Sequence, residues 1–223
     1  AINYFKKCIK INDKFIPPYS NLGRVYADLR KFDEAKNLFN KSIEINNNDY
    51  VSKFELSKIF LSTKEYSKGL EFYEYRKKNI INKNINILKN KYNSIEWNGQ
   101  KLDNKIILIL AEQGFGDIIL FKRYIDVLFK FDQVIFLCNK KLNYIFKESK
   151  FKIVNKIDDV SYHDFYQHLL TLPKIYFEKE NKFCKRINYL PNNHENDLKW
   201  KLKLNKLKKT KIGLAWQGNK NFL

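Results

Sequence analysis

The chain has no methionine, three cysteines, few arginines among its many basic residues, and no long apolar run. Without a starting methionine, and with its first residues already in a helical pattern, it shows neither a start codon nor a signal peptide, so a fragment of a longer polypeptide is expected. Cys8, Cys138 and Cys184 are odd in number, widely spaced and free of a C-x-x-C pair. They read as buried, reduced thiols and favour a reducing cytoplasm. His163 and His194 lack partners at metal-ligand spacing, so no zinc site is expected. The longest apolar stretches, such as Ile106–Ala111, fall far short of the roughly 20 residues that a transmembrane helix needs.

Acidic side chains are scarce as well. Lysine and arginine number 43 against 24 aspartates and glutamates, a net charge of +19. Such a surplus ordinarily raises the question of a nucleic-acid partner. Here it is spread through helices and linkers rich in Lys, Asn and Ile, without an arginine cluster or a nucleic-acid motif, so no specific nucleic acid is expected. With 44% hydrophobic and 16% aromatic residues the chain can bury a core.

What is present is repetition. Ala1, Ala35 and Gly69 recur at a step of 34 residues, as do Phe5, Phe39 and Tyr73. Leu22 and Leu56, Gly23 and Ser57, and Tyr26 and Phe60 keep the same step. The run Tyr19-x-x-Leu22-Gly23-x-x-Tyr26, followed by Ala35-x-x-x-Phe39, resembles the tetratricopeptide signature. Small residues at Gly23 and Ala35 let paired helices approach, and Pro17 and Pro18 suit a first helical turn. Asp33 is expected to cap the next helix. This places a helical solenoid over residues 1–78. Most of its patterned residues read as packing, but Arg24, Asp28, Phe54 and Lys58 fall on the inner face, where stacked repeats present concave surfaces for peptides or proteins.

Residues 79–95 read as a basic linker. From residue 96 the pattern changes to apolar strands alternating with helices: strands at Lys105–Ala111, Gln133–Cys138, Phe151–Asn155, Phe165–Leu170 and Lys211–Trp216, helices at Ile118–Lys130, Lys141–Ser149 and Asn196–Leu207. That alternation predicts a parallel sheet of α/β, Rossmann-like type over residues 96–210. Ligands in such folds sit beyond the carboxyl ends of the strands, where Glu112-Gln113-Gly114-Phe115-Gly116-Asp117 follows the first strand. Ile119 replaces the third glycine of a dinucleotide fingerprint, which disfavours a nicotinamide cofactor. Asp117 starts the following helix; its carboxylate either caps Ile119 or Leu120, or takes a proton from a bound hydroxyl. Glu112 is an alternative base or a solvated loop residue. Gln167 and His168 either line a cleft or are buried and hydrogen-bonded. Trp97 and Trp216 read as packing residues.

Several ordered motifs carry a family resemblance. Trp97-Asn98-Gly99-x-x-Leu102, the run Lys105–Asp117, Phe121-x-Arg123-Tyr124, Asp164-Phe165, Leu169-x-x-Leu172-Pro173 and Ile212–Asn219 together resemble bacterial tetratricopeptide-repeat proteins that carry a heptosyltransferase-like glycosyltransferase domain. The resemblance implies the N-terminal lobe of a GT-B enzyme at residues 96–210, with the second lobe beginning over 211–223. It implies a nucleotide-sugar donor, an acceptor hydroxyl of unknown identity, metal-independent transfer without a resident cofactor, and Asp117 as the base. Glu112, Gln113, Gly114, Gly116, Gln167 and His168 would frame the substrate. Gln217, Gly218 and Asn219 would approach the donor phosphates, or form an ordinary turn. Lacking most of a donor lobe, the fragment alone is expected to be inactive. The other reading is a non-catalytic repeat module that binds proteins.

Overall fold

The 34-residue repeat appears as antiparallel helix pairs in a computed structural model, which describes residues 1–79, 83–112, 114–147, 149–185 and 194–206. The chain divides into two compact units, Ala1–Tyr189 and Leu190–Leu223. In the first, α1 (Ile2–Ile11) precedes the pairs α2 (Ile16–Asp28) with α3 (Phe32–Ile45) and α4 (Tyr50–Ser62) with α5 (Tyr66–Tyr73), followed by a single turn, α6 (Arg76–Asn79). Pro17 and Pro18 lie in the first turn of α2, where no intrahelical donor is lost. Gly23 faces Phe39 so closely that a Cβ there would sit 2.8 Å from the ring, so only glycine lets α2 and α3 meet at this distance. Ala35, Phe39, Leu56, Ile59 and Phe60 form the buried seam.

The turn inside each pair contains a detail that composition did not announce. Arg30 and Lys64, one repeat apart, both adopt left-handed backbone, with φ of 61° and 66°. The amide of the next residue in each case reaches back five residues, Lys31 to Tyr26 at 2.9 Å and Glu65 to Phe60 at 2.8 Å, closing the helix end in the Schellman manner. Asp33 does not cap α3: the helix starts one residue earlier, at Phe32, leaving Asp33 inside its first turn. Cys138 and Cys184 are buried as expected, but Cys8 is exposed on α1, none of whose residues is buried.

Beyond the solenoid, α7 (Lys83–Tyr92), inside the segment read as a linker, leads to β1 (Ile95–Glu96), a short strand across that segment's expected end. Then come β2 (Ile107–Leu110), α8 (Phe115–Phe121), α9 (Arg123–Leu128), β3 (Val134–Leu137), α10 (Asn143–Phe146), β4 (Lys152–Val154), β5 (Phe165–His168) and α11 (Leu172–Glu180). The helix expected at Ile118–Lys130 is therefore two helices beginning at Phe115, and the one at Lys141–Ser149 is a 3-10 turn running into α10. The strands form a parallel sheet in the order β1-β5-β2-β3-β4.

Strand alternation explains why every residue of β2 is apolar. Ile107 and Ile109 point to one face, packed with Ile118, Ile125, Leu172 and Ile175, whereas Leu108 and Leu110 join Leu88 and Val160 on the other. Helices thus cover both faces, as parallel sheets require, and each buried Ile or Leu contributes about 1.5–3 kcal/mol. Trp97 packs its ring 4.9 Å from Phe129 and donates Nε1 to the Gln100 carbonyl at 2.8 Å. The second unit contains α12 (His194–Asn205), close to the expected Asn196–Leu207. The strand expected at Lys211–Trp216 lies outside the described residues.

Candidate functional site

Two concave places bring the predicted residues together. The first is at the carboxyl ends of β2, β3 and β4. Gly114 has φ of 90°, a left-handed value that glycine adopts without penalty, and stands at the N-cap of α8. A Cβ on Gly114 would lie 2.7 Å from Asp117 Oδ2, so the Asp117 carboxylate folds back over the loop. Asp117 is exposed in the first turn of α8 and makes no side-chain cap there, because Gly114 has taken the N-cap position. A Cβ on Gly116 would meet nothing within 4 Å, leaving open space on that side of the loop.

A cavity of about 470 Å³ lies beside this loop. Ala111, Phe115, Ile118, Leu137 and Ile157 give it an apolar surface, with Phe115 itself 45% exposed. Its polar lining is Glu112, Cys138, Asn139 and Asn155. Burial pushes the Cys138 thiol up to about 11, which keeps it neutral. Asn155 Nδ2 donates to the Cys138 carbonyl at 3.0 Å, and its amide pairs reciprocally with that of Asn143 at 2.8 and 2.9 Å. Asn139 Oδ1 accepts from the Lys141 amide at 3.0 Å.

Glu112 is neither a solvated loop residue nor a free base. Its side chain is 6% exposed and is held by Arg76 at the end of the solenoid, Nε to Oε1 at 3.0 Å and Nη2 to Oε2 at 3.1 Å. Oε2 also accepts from the Leu170 amide at 3.0 Å. Arg76 additionally reaches Glu74 at 2.7 Å and Thr171 Oγ1 at 2.9 Å. Burial works against the Arg76 charge, but Glu112 and Glu74 outweigh it and raise its pKa. Burial raises the pKa of the Tyr73 phenol; Arg76 opposes the shift, and Glu112, Asp117 and Glu74 add to it.

Gln167 and His168 lie inside the protein and do not line an open cleft. Gln167 is fully buried because its amide ties strands together, donating to the Trp97 carbonyl at 2.7 Å and accepting from the His168 amide at 2.8 Å. His168 Nδ1 sits 3.7 Å from Glu112 Oε1 without a hydrogen bond among the described residues. Burial lowers the His168 pKa, partly opposed by Glu112. Gln113, Gln217, Gly218 and Asn219 are outside the described residues.

The second place is a cavity of about 370 Å³ between α2 and α4, lined among others by Arg24, Asp28, Arg30, Glu55 and Lys58. Glu55 is shared by Arg24 at 3.2 Å and Lys58 at 2.9 Å. Phe54 is not among the cavity's lining residues: its ring lies 5.4 Å from that of Tyr73, with Lys58 Nζ 4.8 Å above it. The sequence reading missed Arg76, Phe115, Asn139 and Asn155. The available signal was position: Asn139 directly follows a strand-like run, Asn155 closes one and Phe115 lies between two glycines, while nothing near Arg76 marked it.

Among the described residues no three His, Cys, Asp or Glu side chains converge as metal ligands, and no helix is long and apolar enough to cross a membrane. The tetratricopeptide repeat family model matches residues 17–49, the span of α2, α3 and the turn before α4. No curated protein matches the sequence. Among solved structures the chain is similar to YrrB, described as a TPR protein with an unusual peptide-binding site, at 17% identity and a TM-score of 0.33 over 34% of this chain and 39% of that one. The described structure is a helical, tetratricopeptide-like N-terminal region followed by a parallel sheet.

Proposed function

We propose that the sheet is the acceptor-side, Rossmann-like lobe of a GT-B sugar transferase, carried on repeats that hold a peptide or protein. The observation that supports this most is the cavity of about 470 Å³ at the strand ends, beside a loop whose Gly116 leaves open space and whose Asp117 carboxylate is exposed. In this reading residues 1–78 are the repeats, 79–95 the connection, 96–210 the lobe and 211–223 the start of the donor lobe. The donor is a nucleotide sugar, the enzyme works in the cytoplasm, and no resident cofactor or metal takes part.

The chemistry asks little of the protein besides position and one base. The acceptor oxygen forms a bond to the anomeric carbon as the bond to the nucleotide diphosphate breaks, and Asp117 takes the hydroxyl proton. Gly114 and Gly116 frame the acceptor; Gln113 is assigned to the same substrate, and Gln217, Gly218 and Asn219 to the donor diphosphate, on the resemblance alone, these four lying outside the described residues. Glu112, neutralised by Arg76, holds the loop from beneath.

A nucleotide-sugar transfer screen on the parent polypeptide tests this. Asp117→Asn is expected to lower transfer about 10²- to 10⁴-fold with the thermal midpoint little changed. Near-normal transfer by the variant would remove Asp117 as base. The absence of transfer from every donor would leave the second reading, a repeat module that binds proteins without catalysis. That reading draws on the repeat match over residues 17–49 and on the charged groove between α2 and α4.

A further inference from the structure

The chemistry of the strand-end cavity narrows what it can take. The protein carries 43 lysines and arginines, yet among the described residues none lines this cavity. Its charged lining group, Glu112, is buried and already matched by the bidentate Arg76 guanidinium, so it offers a ligand neither attraction nor a free acceptor. Cys138 is a neutral thiol. The Asn155 amide is fully engaged by Asn143 and the Cys138 carbonyl. Beyond the end of β3, Asn139 is exposed; its Oδ1 accepts from the Lys141 amide, while its Nδ2 has no acceptor among the described residues and can donate to a ligand hydroxyl. At the amino end of α8 the first turn carries the exposed Asp117 carboxylate, which opposes a second anion there.

Against this polar inventory stands an apolar one. Phe115, with 45% of its surface open, stands beside Ile118, Leu137 and Ile157. A desolvated phosphate here would lose water without gaining a cation, which is costly. A ring with one apolar face and hydroxyls at its edge loses little and gains contact with the aromatic ring. The volume of about 470 Å³ falls in the range of small-molecule sites.

We propose that the strand-end cavity binds an uncharged, hydroxyl-bearing ring compound, a sugar glycoside stacked on Phe115, and discriminates against phosphorylated sugars. This deepens the sugar-transfer reading and rests on it for the role of the ligand as acceptor; the binding chemistry itself is measured without any transfer. The probes are 4-nitrophenyl hexosides of three configurations and the corresponding hexose 6-phosphates, titrated into the isotope-labelled full chain by NMR.

The neutral hexosides are expected to give saturable shifts at Ile118, Leu137 and Ile157, with hexose phosphates at least tenfold weaker. Phe115→Ala should weaken the hexosides about five- to tenfold and Phe115→Trp restore them; Phe115 is exposed enough that neither change threatens folding. Asn139→Lys should bring hexose phosphates in by placing a cation at the rim. Equal or tighter binding of the phosphates to the unaltered chain, or no saturable shift from any neutral hexoside, would overturn the proposal, as would an Asn139→Lys variant that still rejects phosphate. Hexoside binding by a chain whose parent transfers nothing would retire the transferase reading and keep the cavity's chemistry; phosphate binding would do the reverse.

Discussion

Asp49 shows how one side chain serves two repeats. Its Oδ1 accepts from the Ser52 amide at 3.1 Å as the N-cap of α4, and its Oδ2 accepts from Ser42 Oγ of α3 at 2.6 Å. Ser20 of α2 closes the group, 3.1 Å from Ser42 and 3.0 Å from Ser52. These serines are buried, so without the carboxylate their hydroxyls would face each other with an acceptor too few. Burial raises the Asp49 pKa, but the bonds from Ser42, Ser52 and Ser20 outweigh it and the net direction is downward. A carboxyl group whose folded pKa is depressed stabilises fully above its unfolded value, near pH 4, and loses that contribution as pH falls through the folded value. Asp49→Ala is therefore expected to cost about 1–2 kcal/mol in urea unfolding at pH 7, with the gap from the unaltered chain closing below about pH 4. A gap that stays constant to pH 3 would show that the charge is irrelevant.

At the scale of the helix pair, the turn chemistry is the weakest match between residue type and geometry. Arg30 and Lys64 occupy left-handed positions that cost an L-residue with a Cβ roughly 1–2 kcal/mol and cost glycine much less. Lys64 is exposed and its side chain makes no hydrogen bond or ion pair among the described residues, while its amide reaches the Leu61 carbonyl at 3.3 Å. Lys64→Gly is expected to raise stability by about 0.5–1 kcal/mol, after the larger unfolded-state entropy of glycine is subtracted, and Lys64→Val to lower it. Denaturant midpoints of the three proteins order them; a glycine variant less stable than the unaltered chain would show that the αL strain is not the controlling term. The repeat period was legible because Gly23, Ala35 and Phe39 recur where helices must touch. These turns were not, because the spacing of apolar residues says nothing about a φ angle held by two backbone hydrogen bonds. Likewise β2 could be read from its unbroken apolar run, whereas the two residues of β1 are too few to show any period and owe their pairing to β5 beside them.

For the whole molecule, the informative residues are those whose partners are far away in sequence. Glu112 looked like a loop carboxylate, since nothing near it in the chain announces Arg76, which lies 36 residues away at the last turn of the solenoid. That pair, with Glu74 and Thr171, ties the repeats to the strand ends, and the rings of Tyr66 and Phe183, 4.9 Å apart, add an apolar contact between α5 and the segment after α11. Arg76 and Glu112 side chains are each 6% exposed; removing Arg76 leaves Glu112 a buried carboxylate held by the Leu170 amide, whereas removing Glu112 leaves Arg76 still paired with Glu74. Breaking such a pair costs about 3–5 kcal/mol, whereas replacing both partners with apolar residues of similar size is often nearly neutral. Arg76→Met is thus expected to destabilise by that amount, Glu112→Leu by less because Glu74 still neutralises Arg76, and the double variant to lose less than their sum. If the pair is also what makes the repeats and sheet one cooperative unit, calorimetry of Arg76→Met should resolve two transitions where the unaltered chain gives one for residues 1–189. Additive single effects, with a single transition throughout, would mean that the apolar contact between α5 and α11 joins the two parts without help from the buried ions.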